Sequence, residues 1–183
     1  MIQNLGYLLI RSFWLILPAG LANMAPVLTF KVHFLAYPVD FGKKIKGNPI
    51  FGSHKTLGGI IGAIISGGLV FFIQKWLYDF SFFRSISILN YAKVFSGIGM
   101  FMGFGTIFGD LIKSFLKRRL GIPPGQSWFP FDQLDWIVGA LIFICLVISL
   151  SKEIIIVSII LGFLLHILFK FFGFLLKINK TYI

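Results

Sequence analysis

The sequence predicts an all-α integral membrane protein, a single domain over residues 1–183 with five transmembrane helices. Hydrophobic residues make up 57% of the chain and charged residues only 13%, at a mean hydropathy of +0.92, which leaves too little polar surface for a protein dissolved in water. A helical crossing takes about 20 apolar residues. Stretches of that kind run over residues 5–27, 57–77, 94–115, 134–150 and 154–176. The Lys and Arg residues gather between these stretches, where they orient helices and attract phosphates, so the net charge of +11 does not call for a nucleic-acid partner.

The first stretch lacks the basic leader, short apolar core and small-residue cleavage site of a signal peptide and reads as the first span. The second carries Gly58, Gly59, Gly62, Gly67 and Gly68, and the third Gly97, Gly99, Gly103, Gly105 and Gly109. Small residues four apart let helix backbones approach closely, so these two spans should pack tightly and form a rigid base. In the fourth, Cys145 is the only cysteine of the chain and reads as a small core residue. The fifth, rich in Phe, Leu and Ile with only Gly162 and Gly173 between them, should face lipid over much of its surface. The two halves of the chain show no convincing repeat, which counts against a transporter built from inverted halves.

Five crossings put the termini on opposite sides, and the positive-inside rule selects the orientation. One set of connections, with the C-terminal segment, holds Lys31, Lys43, Lys44, Lys46, Lys55, Lys113, Lys117, Arg118, Arg119, Lys170, Lys177 and Lys180, twelve of the seventeen positive charges. That side should be the cytoplasm. The other keeps Arg11, Lys75, Arg84, Lys93 and Lys152, so the expectation is a multi-pass protein of the cell membrane with its N-terminus outside and its C-terminus inside.

Of only six acidic residues, Asp110, Asp132 and Asp135 fall within 26 positions. Ionisable groups at membrane depth are costly and point to function. Asp110 precedes Lys117 by seven residues, about 10 Å along a helix, which sets it just below the cytoplasmic interface. Asp110, Ser114 and Lys117 share one helix face. After the loop of residues 121–130, Asp132 and Asp135 open the next helix on one face at the same interface. Three carboxylates from two helices can thus meet at one depth, with the hard oxygen ligands that Mg²⁺ takes alongside substrate phosphates. The competing role for Asp132 is to cap the fourth helix, and it accounts for one of the three.

Lys117, Arg118 and Arg119 fit two roles, orienting the helix beside anionic head groups or binding substrate phosphates. Phe51-Gly52-Ser53-His54-Lys55-Thr56 opens the second span from the same side. A glycine beside Lys and Thr at a helix N-terminus suits a phosphate cradle, although the spacing is not that of a Walker loop. Asn23, in Asn23-Met24-Ala25-Pro26, fits equally a polar site residue and a helix-end hydrogen bonder. His166, among Leu and Phe, reads as a helix-packing residue, and His33 has no evident partner.

The combination Gly109-Asp110-Leu111, Ser114-Phe115-Leu116-Lys117-Arg118-Arg119, Pro124-Gly125 and Pro130-Phe131-Asp132-Gln133-Leu134-Asp135 resembles the CDP-archaeol synthase family, relatives of the CDP-diacylglycerol synthases. The likeness extends to Asn23-Met24-Ala25-Pro26, Pro38-Val39-Asp40-Phe41-Gly42 and the Phe51 to Thr56 segment. Trp128-Phe129-Pro130 stands where the wider signature has Pro-Gly-His-Gly-Gly, which favours the archaeal branch. The resemblance implies a five-span, Mg²⁺-dependent enzyme that transfers CMP from CTP to an isoprenoid ether-lipid phosphate, releasing pyrophosphate, in phospholipid biosynthesis. It implies Asp110, Asp132, Asp135 and Lys117 as catalytic residues, the three aspartates as metal ligands, and Asn23, His54, Lys55, Thr56, Ser114, Arg118 and Arg119 as substrate-binding residues.

A phosphate nucleophile is already anionic near neutral pH, so no general base is required, only alignment and neutralisation of crowded phosphates. The lipid chain is expected against the second and third spans, with CTP entering from the cytoplasm. The alternatives are a phosphatidate cytidylyltransferase, for which Leu, Ile and Phe surfaces are equally suited, and a small cation channel or transporter. Aspartates confined to one interface argue against a conduction path. The long aspartate signature of the CDP-alcohol phosphotransferases is absent, and a purely structural membrane protein has no need of such carboxylates.

Overall fold

A computed structural model describes residues 5–175. Its elements are α1 (Leu5–Lys31), a hairpin of β1 (Lys44–Ile45) and β2 (Asn48–Pro49), α2 (Leu57–Leu77), the short α3 (Ser81–Ile86), α4 (Ile98–Arg119), α5 (Phe131–Cys145) and α6 (Lys152–Leu175). Among the described residues, four helices, α1, α2, α4 and α6, are long and apolar enough to cross a membrane. Their outer faces are hydrocarbon: Leu69, Phe72 and Leu164 are each more than half exposed. In water such a surface would be costly, whereas against lipid it is the expected one.

The long helices alternate in direction. The C-terminal end of α1 lies beside the N-terminal end of α2, where Gly62 faces Thr29, and α4 ends where α5 begins, with Gly109 against Asp135. At the opposite end, the Gln74 amide donates to the Trp14 carbonyl at 2.5 Å, the Tyr91 hydroxyl donates to Gln74 at 3.2 Å, and Arg11 reaches the Ser87 carbonyl at 3.1 Å. The core between them is built from Leu15, Ile16, Phe71, Met102, Ile137 and Ile144, all at most 2% exposed.

Helix bounds depart from the sequence expectations where loops carry apolar residues. The third long helix starts at Ile98 and not at residue 94, because Asn90 accepts from the Val94 backbone in a turn and Tyr91 is buried against Phe71 and Tyr78. The fourth stretch was expected over 134–150, but α5 covers Phe131–Cys145, and Leu146 to Ile148 turn back on the carbonyls of Phe143 and Ile144. The first helix continues through Pro26 to Lys31. Residue 176 of the fifth stretch, Lys177 and Lys180 lie outside the described residues.

α4 is clamped between α2 and α5 by glycines. A methyl group on Gly99 would overlap the Gly67 carbonyl, and one on Gly109 would overlap the carbonyl oxygen of Asp135. This seam therefore sets the distance between the helices that carry Asp110 and Asp135. Gly109→Ala should force them apart, at about 1–3 kcal/mol, and lower the thermal midpoint. Gly20→Ala, whose methyl would meet nothing nearer than the Trp136 ring at 3.9 Å, should not lower it.

Candidate functional site

The loop before α2 is shaped by one carboxylate. Asp40, 6% exposed, accepts from the backbone N–H groups of Gly42 at 3.0 Å, Phe51 at 3.0 Å and Gly52 at 3.1 Å. Gly52 presents its N–H at a φ of +111°, a conformation that side chains rarely adopt. Thr56 then caps α2 by accepting from Gly59, and Val39 donates to the Lys55 carbonyl at 2.7 Å. This fixes Lys55 at the helix entrance.

Burial pushes the Asp40 carboxyl up, but the backbone donors of Phe51, Gly52 and Gly42 outweigh it and hold the group below the ordinary aspartate value of 3.8. A folded value below the unfolded one stabilises the loop above about pH 3.8, and that contribution is lost as pH falls through the folded value. Asp40→Asn should accordingly leave the loop more open to proteolysis between residues 40 and 53 at neutral pH. The wild-type loop should become equally sensitive only below about pH 4.

Lys55 reaches Asp110 on α4, with its Nζ at 2.8 Å from Oδ1 and 2.6 Å from Oδ2. The three aspartates of α4 and α5 converge on Lys113, whose Nζ lies 3.0 Å from Asp110, 3.0 Å from Asp132 and 2.7 Å from Asp135. Lys117 adds a contact to Asp132 at 3.0 Å and donates to the Gln126 carbonyl at 2.5 Å. Three carboxylates thus face three ammonium groups, and this neutrality is what allows six charges to be largely buried at one end of the helices. Asp132 accepts from the Trp128 backbone N–H at 2.6 Å, while α5 starts without a side-chain cap, so Asp132 anchors the preceding loop instead of capping the helix.

Above this cluster opens a polar cavity of about 330 Å³. Among the described residues, five cationic side chains line it, Lys55, Lys113, Lys117, Arg118 and Lys170, with His54, His166, Ser114 and a single carboxylate, Asp132. A cavity of this charge is built for anions, and polyphosphate is an anion of suitable size.

Of the residues singled out from the sequence, Lys55, His54, Ser114, Lys117, Arg118 and Asp132 therefore share one cavity, and Asp110 and Asp135 stand behind it on Lys113. Three others lie elsewhere. Thr56 is buried as the α2 cap, beside a small cavity of about 30 Å³ next to Asp110. Arg119 turns outward over Phe115 and donates to the carbonyls of Ile45, Asn48 and Pro49, so it braces the hairpin. Asn23 lines a second, apolar cavity of about 460 Å³ between α1 and α6.

Sequence reasoning passed over Lys113, Lys170 and His166. Lys113 could have been found, because residues three apart on a helix are neighbours and it follows Asp110 by three. The other two come from α6, which nothing in the local sequence ties to the aspartates. His166, read from the sequence as a packing residue, lines both the polar and the apolar cavity.

As to metal, no group of three or more His, Cys, Asp or Glu side chains among the described residues is spaced as a ready cage. The donor set nonetheless suits a hard cation in kind and charge, since three carboxylates each place an oxygen within 3.0 Å of one positive nitrogen. Mg²⁺ commonly takes one or two carboxylates and completes its shell with phosphates and water, so a closed protein cage is not a requirement.

Residues 5–182 match the family described as CarS-like CDP-archaeol synthase. The chain is 35% identical to a CDP-archaeol synthase of Methanocaldococcus jannaschii over 176 residues, covering 96% of this chain and 97% of that one. It is 36% identical to a CDP-archaeol synthase of Pyrococcus furiosus over 136 residues, 74% of each chain. A solved structure described as an intramembrane enzyme for archaeal membrane lipid biosynthesis superposes with a TM-score of 0.70 at 26% identity, over 86% of this chain and 90% of that one.

Proposed function

The chain belongs to the CDP-archaeol synthase family, and on that premise we propose that its cation-lined cavity holds CTP against a lipid phosphate. The protein is a membrane cytidylyltransferase of ether-lipid synthesis, a nucleotidyltransferase that uses CTP and acts on a lipid phosphate. The observation that carries the site assignment is the convergence of Asp110, Asp132 and Asp135 on one cation beneath a cavity with five cationic side chains.

An oxygen of the lipid phosphate attacks the α-phosphorus of CTP. The bond from that phosphorus to the β-phosphate bridging oxygen breaks, and pyrophosphate leaves. The nucleophile carries its charge near neutral pH, so no side chain needs to remove a proton. Lys117, Arg118 and Lys55 neutralise and align the triphosphate, and Ser114 offers a hydroxyl donor at the cavity wall. Asp132 holds Lys117 and the Trp128 backbone, which keeps the loop of residues 120–130 over the nucleotide. Asp110, Asp132 and Asp135 are the residues that would hold Mg²⁺, which when bound supplies charge neutralisation on the phosphates.

In the bilayer, we take α5 as a fifth crossing. Its 15 residues make about 22 Å of helix, short of the roughly 30 Å hydrocarbon layer, and the apolar turn of Leu146, Val147 and Ile148 carries the chain onward from its end. Alternating helix directions and the charge asymmetry support a multi-pass cell-membrane enzyme with its N-terminus outside, its C-terminus inside and its active site on the cytoplasmic side.

The test is to offer the purified protein labelled CTP and Mg²⁺ with an isoprenoid ether-lipid phosphate and, separately, a diacyl phosphate. Label should enter the ether lipid with the higher kcat/KM and require the divalent ion. Transfer only to the diacyl substrate, or undiminished transfer in excess chelator, would count against the assignment.

A further inference from the structure

We propose that the isoprenoid chain of the lipid substrate lies in the groove between α1 and α6, with its phosphate at His166 and Lys170 and a glycerol oxygen on the indole N–H of Trp136. This rests on the cytidylyltransferase reading and locates the half of the site that the nucleotide does not fill.

The groove has a volume of about 460 Å³ and is walled mainly by apolar side chains such as Phe13, Leu17, Leu165 and Phe169. It is the right lining for a hydrocarbon chain. His166 and Lys170, one helical turn apart on α6, line this groove and also the polar cavity, so the two spaces meet at that pair. A phosphate held there would face the nucleotide while its chain ran down between α1 and α6.

Trp136 supplies a second and independent sign of a ligand. It lines the groove and is only 3% exposed, yet its Nε1 donor has no hydrogen-bond partner among the described residues. A buried N–H left unpaired is unfavourable, and an oxygen at the glycerol end of a lipid is the acceptor that a lipid groove can provide. The walls can also yield, because α6 buries only Ser158, Gly162 and Gly173.

Two other courses for the chain are less suited. The sequence reading set the lipid against the second and third spans, and no chain can enter between them, because the seam of α2 and α4 is closed by backbone contact at Gly67, Gly99 and Gly103. The apolar cavity of about 410 Å³ between α4 and α5 ends at Asp135 and at Lys113, whose ammonium is already surrounded by three carboxylates. A phosphate entering there would meet negative charge first.

The test uses the full chain in detergent with Mg²⁺, CTP and two lipid phosphates, one with geranylgeranyl chains and one with chains of a single isoprene unit. Leu165→Trp, which fills the groove, should cut kcat/KM for the long-chain substrate at least about tenfold more than for the short one. Val138→Trp, placed in the α4–α5 cavity, should leave that ratio unchanged. Trp136→Phe keeps a smaller aromatic ring and removes the donor, so it should raise the KM for both lipids about five- to tenfold while the KM for CTP and the kcat at saturating lipid stay within about twofold. A ratio that shifts with Val138→Trp and not with Leu165→Trp would overturn the groove assignment, as would a Trp136→Phe variant that weakens CTP equally. Retention of labelled lipid phosphate without CTP separates the two levels. Wild type that binds lipid, loses that binding on Leu165→Trp, and yet transfers no CMP would refute the transferase reading alone.

Discussion

Asp135→Asn and Asp110→Asn should each lower CMP transfer by on the order of a thousandfold or more while the helices remain packed. The size follows from what the carboxylates do. Each places an oxygen within 3.0 Å of the same nitrogen, so each faces the point where charge on the phosphates must be offset. Changing a group that only supports a metal ligand typically costs 10- to 100-fold, and removing a ligand itself should cost more. Folding should survive because asparagine keeps the shape and no buried cation is stranded. In Asp135→Asn, Lys113 retains Asp110 and Asp132, and in Asp110→Asn it retains Asp132 and Asp135, while Lys55, which also loses Asp110, has a side chain 27% exposed that can turn to water. Labelled CMP incorporation measures the first effect and a thermal scan the second. A folded variant within tenfold of wild-type activity would remove the aspartates from the chemistry.

How much of this was legible in the sequence depended on the range of the forces involved. Residence in lipid and the extent of α2, expected over 57–77 and found at Leu57–Leu77, follow from local composition. The glycines at four-residue spacing signalled close helix contact, though not that Gly139 of α5 completes the seam with Gly105 and Gly109. α5 itself was displaced, because an apolar run reads alike whether it is helix or turn, and residues 146–148 are turn. The aspartates stood out because charge is rare in such a chain. Their common partner did not, although Lys113 lies three residues after Asp110 and four before Lys117 on the same flank of α4, because the face was read only through Asp110, Ser114 and Lys117. Arg119 was over-read for a different reason: a basic run has one sequence signal, but Arg118 meets the loop at Ile122 whereas Arg119 meets the hairpin at Pro49.

Lys113→Met carries the other large expected effect, and it reads the metal site without relying on turnover. In the structure its ammonium occupies the point between the three carboxylates, where a divalent ion would be held under the proposed function. The wild-type protein thus carries a tethered cation that a metal must displace. Without it, three carboxylates face two remaining ammonium groups, and the uncompensated negative charge should cost about 3–5 kcal/mol in the absence of divalent ion, measurable as a lower thermal midpoint. Added Mg²⁺ should restore the midpoint in Lys113→Met and raise it more than in wild type, because binding to the folded state stabilises it by mass action. Calorimetric titration should show Mg²⁺ bound at least about tenfold more tightly by the variant, since no ammonium competes for the same oxygens. Transfer should nonetheless fall about a hundredfold, because Lys113 also lines the anion cavity and, once displaced, is a cation within reach of the phosphates. Equal Mg²⁺ affinity in the two proteins would mean that Lys113 and the metal do not share a place, and the three aspartates would then be an ion-pair scaffold for the loop and not a metal centre.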